Sequence, residues 1–201
     1  GSDTIWLECT SQKAPFNYLG SFSDDRDVIL ITETSGKKVR TPRYSADQNR
    51  LSRKAYVTLD PVGNGTAEVT TEYKYYYFDM KDNLLALDQE GKKKAITNSI
   101  DIPGFSLINF SLSQPDNDRP LLNESLSLKL TKYATLMGDR MLVPVNLMNR
   151  VERLPSNAAD RKMNIEFMRD RMLVDTITYK IPVGYSTPTV PQPVEFISQF
   201  G

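Results

Sequence analysis

The chain has 201 residues, with 25 Lys+Arg against 25 Asp+Glu, 39% hydrophobic residues, one cysteine and no histidine. That length fits one large domain or two small ones, and either can bury a core. Balanced charge offers no excess to attract phosphate backbones or anionic lipid, so nucleic acid is excluded as an expected partner; one cysteine forbids an internal disulfide, and without histidine the usual Cys/His zinc sites are excluded too.

The first run, Ile5-Trp6-Leu7-Glu8-Cys9-Thr10, reads as a short β-strand with one carboxylate in the middle. Neighbours on a strand point to opposite faces, so Glu8 and Cys9 do not share a site. The chain then runs through Pro15-Phe16-Asn17-Tyr18-Leu19-Gly20 and Asp24-Asp25-Arg26-Asp27 into Val28-Ile29-Leu30-Ile31, and after Ser35-Gly36 it turns back through Lys37-Lys38-Val39-Arg40-Thr41-Pro42. This reads as strand, loop and hairpin. Hard cations collect carboxylates, but the Asp24–Asp27 cluster lacks the glycine-centred spacing of a calcium loop and reads instead as a solvated loop with one internal ion pair. Asp116-Asn117-Asp118 lacks both the glycine and the closing glutamate.

The series Trp6-Leu7-Glu8-Cys9-Thr10, Pro15-Phe16-x-Tyr18-Leu19-Gly20, Asp25-Arg26-Asp27 and Thr41-Pro42 resembles the end of the core of bacterial transglutaminase-like proteins, which is followed there by a C-terminal domain of unknown function. The resemblance is most specific over residues 4–44. It implies that Glu8 matches the acid of a Cys-His-Asp triad, with glutamate in place of the family's aspartate. It also implies that the cysteine nucleophile and the histidine belong to a core domain upstream in the parent chain, acting on amide or ester bonds. An acid that orients an imidazole does nothing without the imidazole and the thiol, so the chain itself is expected to be non-catalytic. A periplasmic or secreted location follows from the resemblance only.

A second unit begins near residue 50, dividing the chain into a core remnant over 1–49 and a β-rich accessory domain over 50–201. Tyr56–Leu59 and Ala67–Tyr73 flank the turn-rich Asp60-Pro61-Val62-Gly63-Asn64-Gly65, the clearest hairpin in the chain. Next comes Tyr75-Tyr76-Tyr77-Phe78. Exposed, these rings would suit a binding module for carbohydrate or protein; the ordinary reading is that alternate rings pack under the following helix. From Asp79 the period changes, and Met80, Leu84, Leu87, Ala95 and Ile96 predict one kinked helix or two short helices near residues 79–98, with Lys92-Lys93-Lys94 on a solvated face.

The remainder reads as strands. Ile108, Phe110 and Leu112 alternate with polar neighbours, as do Leu126, Leu128 and Leu130, then Ile177, Tyr179 and Ile181; Arg140–Val145 is a further short strand. Asn157–Arg161 reads as a loop, and Pro188, Pro191 and Pro193 make the approach to Val194–Ile197 extended. The fold class is therefore α+β, mainly β, with antiparallel sheets in a sandwich-like arrangement. In the resembled family further strands follow the Ile181-Pro182-x-Gly184-Tyr185 turn, which implies an unpaired sheet edge here and a homodimer through it. No apolar run approaches the roughly 18 residues a membrane span needs. Three sequons, at Asn64, Asn109 and Asn123, read as chance. A glycosidase pair built on Glu166 or Glu195 is unconstrained by spacing, and no phosphate loop, serine elbow or cofactor motif occurs.

Overall fold

After a one-turn helix α1 (Gly20–Ser23), strands β1 (Asp27–Ile31) and β2 (Gly36–Arg40) pair as an antiparallel hairpin. The computed structural model describes residues 4–11, 14–115, 119–150, 162–163, 166–187, 192–195 and 197. Strands β3 (Arg50–Leu59) and β4 (Gly65–Lys74) form the predicted long hairpin, in register from Leu51↔Tyr73 to Leu59↔Gly65. Its turn is built by Asp60, whose carboxylate accepts the N–H groups of Val62 and Asn64 at 3.0 and 2.8 Å. Gly63 closes the turn at φ +85°, where a Cβ would press on the carbonyl oxygen of Ala134.

The helical stretch is broken into a single turn α2 (Tyr76–Asp79), a 3-10 turn (Asp82–Ala86) and α3 (Gln89–Ser99). Asp88 caps α3 by accepting the Gly91 N–H at 2.7 Å. Helix therefore starts inside the tyrosine run, earlier than the periodicity predicts, and Met80 and Leu87 face solvent while Leu84 and Ile96 are buried. Strands β5 (Phe105–Ser113) and β6 (Leu121–Leu130) follow, then a small hairpin of β7 (Thr135–Met137) and β8 (Arg140–Leu142), and finally β9 (Met172–Lys180).

The main sheet has the order β5-β6-β4-β3-β9. Its pairs are antiparallel except that β9 lies parallel to β3, so the sheet is mixed. A parallel pair needs a crossover of about a dozen residues or more, and the long connection between β8 and β9 is ample. One face carries Ala55, Val57, Leu59, Ala67, Val69, Leu126, Leu128 and Leu130 against Ile96 of α3, Tyr133 and Leu147. Each large aliphatic side chain buried there contributes about 1.5–3 kcal/mol. The opposite face alternates to Arg50, Ser52, Lys54, Thr70, Glu72 and Thr176 around a shallow hollow of about 640 Å³, the wetted side of an antiparallel ladder.

Three local expectations change. Residues 4–11 pair with no strand among the described residues, and the Trp6 N–H is satisfied by the side chain of Asn17 at 3.0 Å. A bulge between Leu107 and Asn109 turns Ile108 to solvent, so Phe105, Leu107, Phe110 and Leu112 form the inward set. Strand β8 ends at Leu142, and Ile181 lies beyond β9 with its side chain exposed. Residues 116–118, 157–161, 188, 191 and 196 lie outside the described residues.

Candidate functional site

The acid singled out in the sequence lies at one end of the molecule. Glu8 is half-buried, and its Oε1 accepts the Thr10 N–H at 2.8 Å and the Thr10 hydroxyl at 2.5 Å, while Oε2 accepts the Ser23 hydroxyl at 2.8 Å. The Thr10 hydroxyl first, then the Thr10 amide and Ser23, hold its carboxyl below the usual carboxylate range. All of these donors are neutral, and among the described residues no cation pairs with the carboxylate. Ile5 and Leu7 of the same segment are exposed, as are Cys9 and, next to Ser23 in sequence, Phe22.

The tyrosine run sits elsewhere. Tyr75 packs with Tyr18 and Tyr44 in a trio, ring centroids 5.4 and 4.9 Å from it. Tyr76 meets Tyr77 edge-on at 5.5 Å and lies under the guanidinium groups of Arg169 and Arg171, 5.8 and 5.5 Å from its ring. Phe78 is buried, and the three tyrosines are half-buried. The rings are thus engaged within the fold and do not line an open groove as a row.

Beneath them lie charged groups whose partners are remote in sequence. Asp24 is 4% exposed and is held by Arg169, with Nη2–Oδ1 at 2.5 Å and Nε–Oδ2 at 3.1 Å. Arg169 also donates to the carbonyl of Ser21. Asp25 and Asp27 pair with Arg40. Asp27 also pairs with Lys38 at 3.0 Å, so the acidic cluster read as a solvated loop with an internal pair is divided among three cations outside it, because the α1 turn drives Asp24 inward while β1 carries Asp27 outward. Asp79 accepts the Ser21 N–H at 2.5 Å and the Tyr18 hydroxyl, and its burial pushes the carboxyl above its ordinary range. Among the described residues no acidic, histidine or cysteine cluster assembles a cation site.

A second polar group crosses the buried face of the main sheet. Register places Asp175, Arg53, Thr71 and Glu124 in one row across β9, β3, β4 and β6. Arg53 pairs with Asp175 at 3.5 Å, and Tyr73 donates its hydroxyl to Glu124 at 2.8 Å. This row separates the aliphatic core from an aromatic one formed by Tyr18, Tyr44, Leu51, Tyr73, Phe78 and Leu122.

Residues 139–201 match a family described as a domain of unknown function with solved structure (DUF3858). The match covers β8, β9 and the segments around them, and it leaves residues 1–138 unassigned. Comparison with curated proteins and with solved structures found no match.

Asn49 is the residue that sequence reading missed. It is 1% exposed, its side-chain nitrogen donates to the carbonyls of Tyr44 (3.1 Å) and Asp170 (3.0 Å), and its oxygen accepts the Tyr76 N–H at 3.2 Å. An asparagine just ahead of a strand reads as a turn residue, and nothing local marks it as a buried hub.

Proposed function

We propose that this chain is a non-catalytic accessory domain of a transglutaminase-like protein, one that packs on and positions a catalytic core supplying the cysteine and histidine. The observation that carries the reading is Glu8: a carboxylate near the surface that, among the described residues, is held by neutral donors from Thr10 and Ser23, with Leu7 next to it in sequence and Phe22 next to Ser23 both exposed. An imidazole N–H arriving from a docked core can replace the Ser23 hydroxyl on Oε2 at little cost, since one hydrogen bond to the carboxylate is exchanged for another that strengthens when the imidazole is protonated. Burying the neighbouring apolar side chains would supply the docking energy.

The chain carries no histidine, and its single thiol, Cys9, projects from the same segment as the acid. Nucleophile and base must therefore come from elsewhere. The alternative reading, a free-standing module binding through Tyr75–Phe78, finds less support, because those rings pack on Tyr18, Tyr44 and Arg169.

The test is made in the full-length parent. Glu8→Gln keeps the shape and removes the charge that stabilises an imidazolium, and in the analogous serine triad such a change lowers turnover by about 10⁴. A comparable loss with an unaltered unfolding midpoint is expected. Unchanged turnover refutes the role.

A further inference from the structure

Between the N-terminal segment and the end of the main sheet lies a groove of about 620 Å³. It is distinct from the Glu8 surface and from the face of Tyr76 covered by the two arginines. Phe16 stands on its wall with its ring 55% exposed, and Tyr18 and Tyr75 form part of its lining.

Two of the four non-glycine residues with positive φ among the described residues lie here, Asn17 at 56° and Tyr75 at 49°. Tyr75, with ψ −111°, holds a backbone conformation that ordinarily belongs to glycine. It is kept there from both sides: the Tyr75 N–H donates to the Pro120 carbonyl at 2.9 Å, and the next N–H donates to Asn49. Strain held by surrounding structure directs attention to the strained residue's surroundings, and Tyr75 lines the groove with its ring packed on Tyr18 and Tyr44.

The polar groups are pre-set as well. The side-chain oxygen of Asn17 is engaged by the Trp6 N–H at 3.0 Å, and that of Gln48 by the Ser45 N–H at 3.0 Å. With both oxygens in use, the capacity each amide has left for a ligand is that of its NH₂ donor. Asp47, exposed on the rim, adds an acceptor and offsets the charge of Arg119, which also lines the groove, and Lys74 is paired with Glu72 at 2.7 Å.

The ligand must therefore offer an apolar face to an aromatic ring together with several small groups that both donate and accept hydrogen bonds, and it needs little charge. A peptide strand is poorly served, because Lys74 of β4 and Leu121 of β6 are paired with each other at this end of the sheet and leave no open ladder to extend. A pyranose ring meets each requirement: C–H groups on one face and hydroxyls around the edge. We propose that this groove is a binding site for a neutral oligosaccharide, with Phe16 as the stacking platform and Asn17, Asp47 and Gln48 as the hydroxyl partners.

The experiment uses the 201-residue chain on an array of neutral and uronic-acid oligosaccharides, followed by calorimetric titration with the best-binding neutral hexasaccharide and with a library of unstructured peptides. Phe16→Ala and Asp47→Ala are expected to weaken saccharide binding at least tenfold with unchanged unfolding midpoints. Phe22→Ala, which removes an exposed ring on the Glu8 side, is expected to leave it unchanged. Failure to bind any neutral oligosaccharide, binding indifferent to both groove substitutions, or peptide binding that depends on Phe16 in its place would overturn the proposal. None of these outcomes bears on Glu8, so this site and the accessory role stand or fall separately.

Discussion

Replacing Asn49 by alanine is the sharpest probe of how this fold is held. Three hydrogen bonds disappear at once: the donations to the Tyr44 and Asp170 carbonyls and the acceptance from the Tyr76 N–H. Each such bond contributes about 0.5–1.5 kcal/mol net, and a buried group left unpaired costs about 1–3 kcal/mol. Water entering the small void would repair some of the loss, so about 3 kcal/mol in total is expected. At about 2–4 °C per kcal/mol for a chain of this size, the midpoint should fall by roughly 6–12 °C. Far-UV circular dichroism in a urea titration is the suitable assay, since Trp6, the only tryptophan, lies outside the sheet and reports poorly on it. Amide hydrogen exchange adds a local readout: the Tyr76 N–H should lose protection well beyond that of the β4 and β6 amides, because its acceptor has gone. A loss under 1 kcal/mol, or a Tyr76 amide protected as before, would refute the view of Asn49 as the tie between three segments.

Two further outcomes can be checked. Burial raises the Asp79 carboxyl, so the folded chain binds that proton more tightly than the unfolded chain does; the stabilisation from protonating Asp79 is complete below the unfolded value near 3.8 and is lost as pH rises through the raised folded value. Relative to Asp79→Asn, the parent should therefore lose stability across that interval and run parallel to the variant at neutral pH, and urea midpoints that differ by a constant at all pH values would contradict this. The outer edge of β9 carries no strand among the described residues and, unlike β5, shows no bulge in its register, so it is open to antiparallel pairing with a second copy. Sedimentation should show a concentration-dependent dimer that Thr176→Lys, placing like charges opposite each other at the strand centre, weakens; monomer at every concentration would remove it.

Where structure is decided by neighbours in sequence, it was legible. The β3–β4 hairpin follows from strict alternation on both sides of a turn whose Asp60, Gly63 and Gly65 have local roles, and β6 follows from Leu126, Leu128 and Leu130 at period two. The tyrosine run was not legible in the same way. Its change from strand to helix is set at Tyr75 by a carbonyl 45 residues later and, through Tyr76, by a side chain 27 residues earlier. Asp24 looked like a surface acid for a similar reason, since its cation is Arg169, 145 positions away. At the candidate site, the strand expected around Glu8 is not formed, and the acid's satisfaction by Ser23 depends on how α1 folds back.

Those remote ties also bear on the family-matched stretch, residues 139–201. Strand β9 is paired with β3 along nine residues, and its Tyr179 hydroxyl is hydrogen-bonded to that of Tyr133 at 2.9 Å, one of the two donating to the other while the second donates to the Pro144 carbonyl that lies within reach of both. Ahead of β9, Arg169 holds Asp24, Arg43 holds Asp170 at 2.9 Å, and the Met172 N–H donates to the Asn49 carbonyl at 3.0 Å. Removing the stretch would strip an edge from the sheet, leave Arg53 buried without Asp175, and release the N-terminal segment on which Glu8 is carried. A single buried charge without its partner costs several kcal/mol, a sizeable share of the 5–15 kcal/mol that usually stabilises a domain. The matched residues therefore tie the N-terminal segment, through Asp24, Arg43 and Asn49, to the edge of the main sheet.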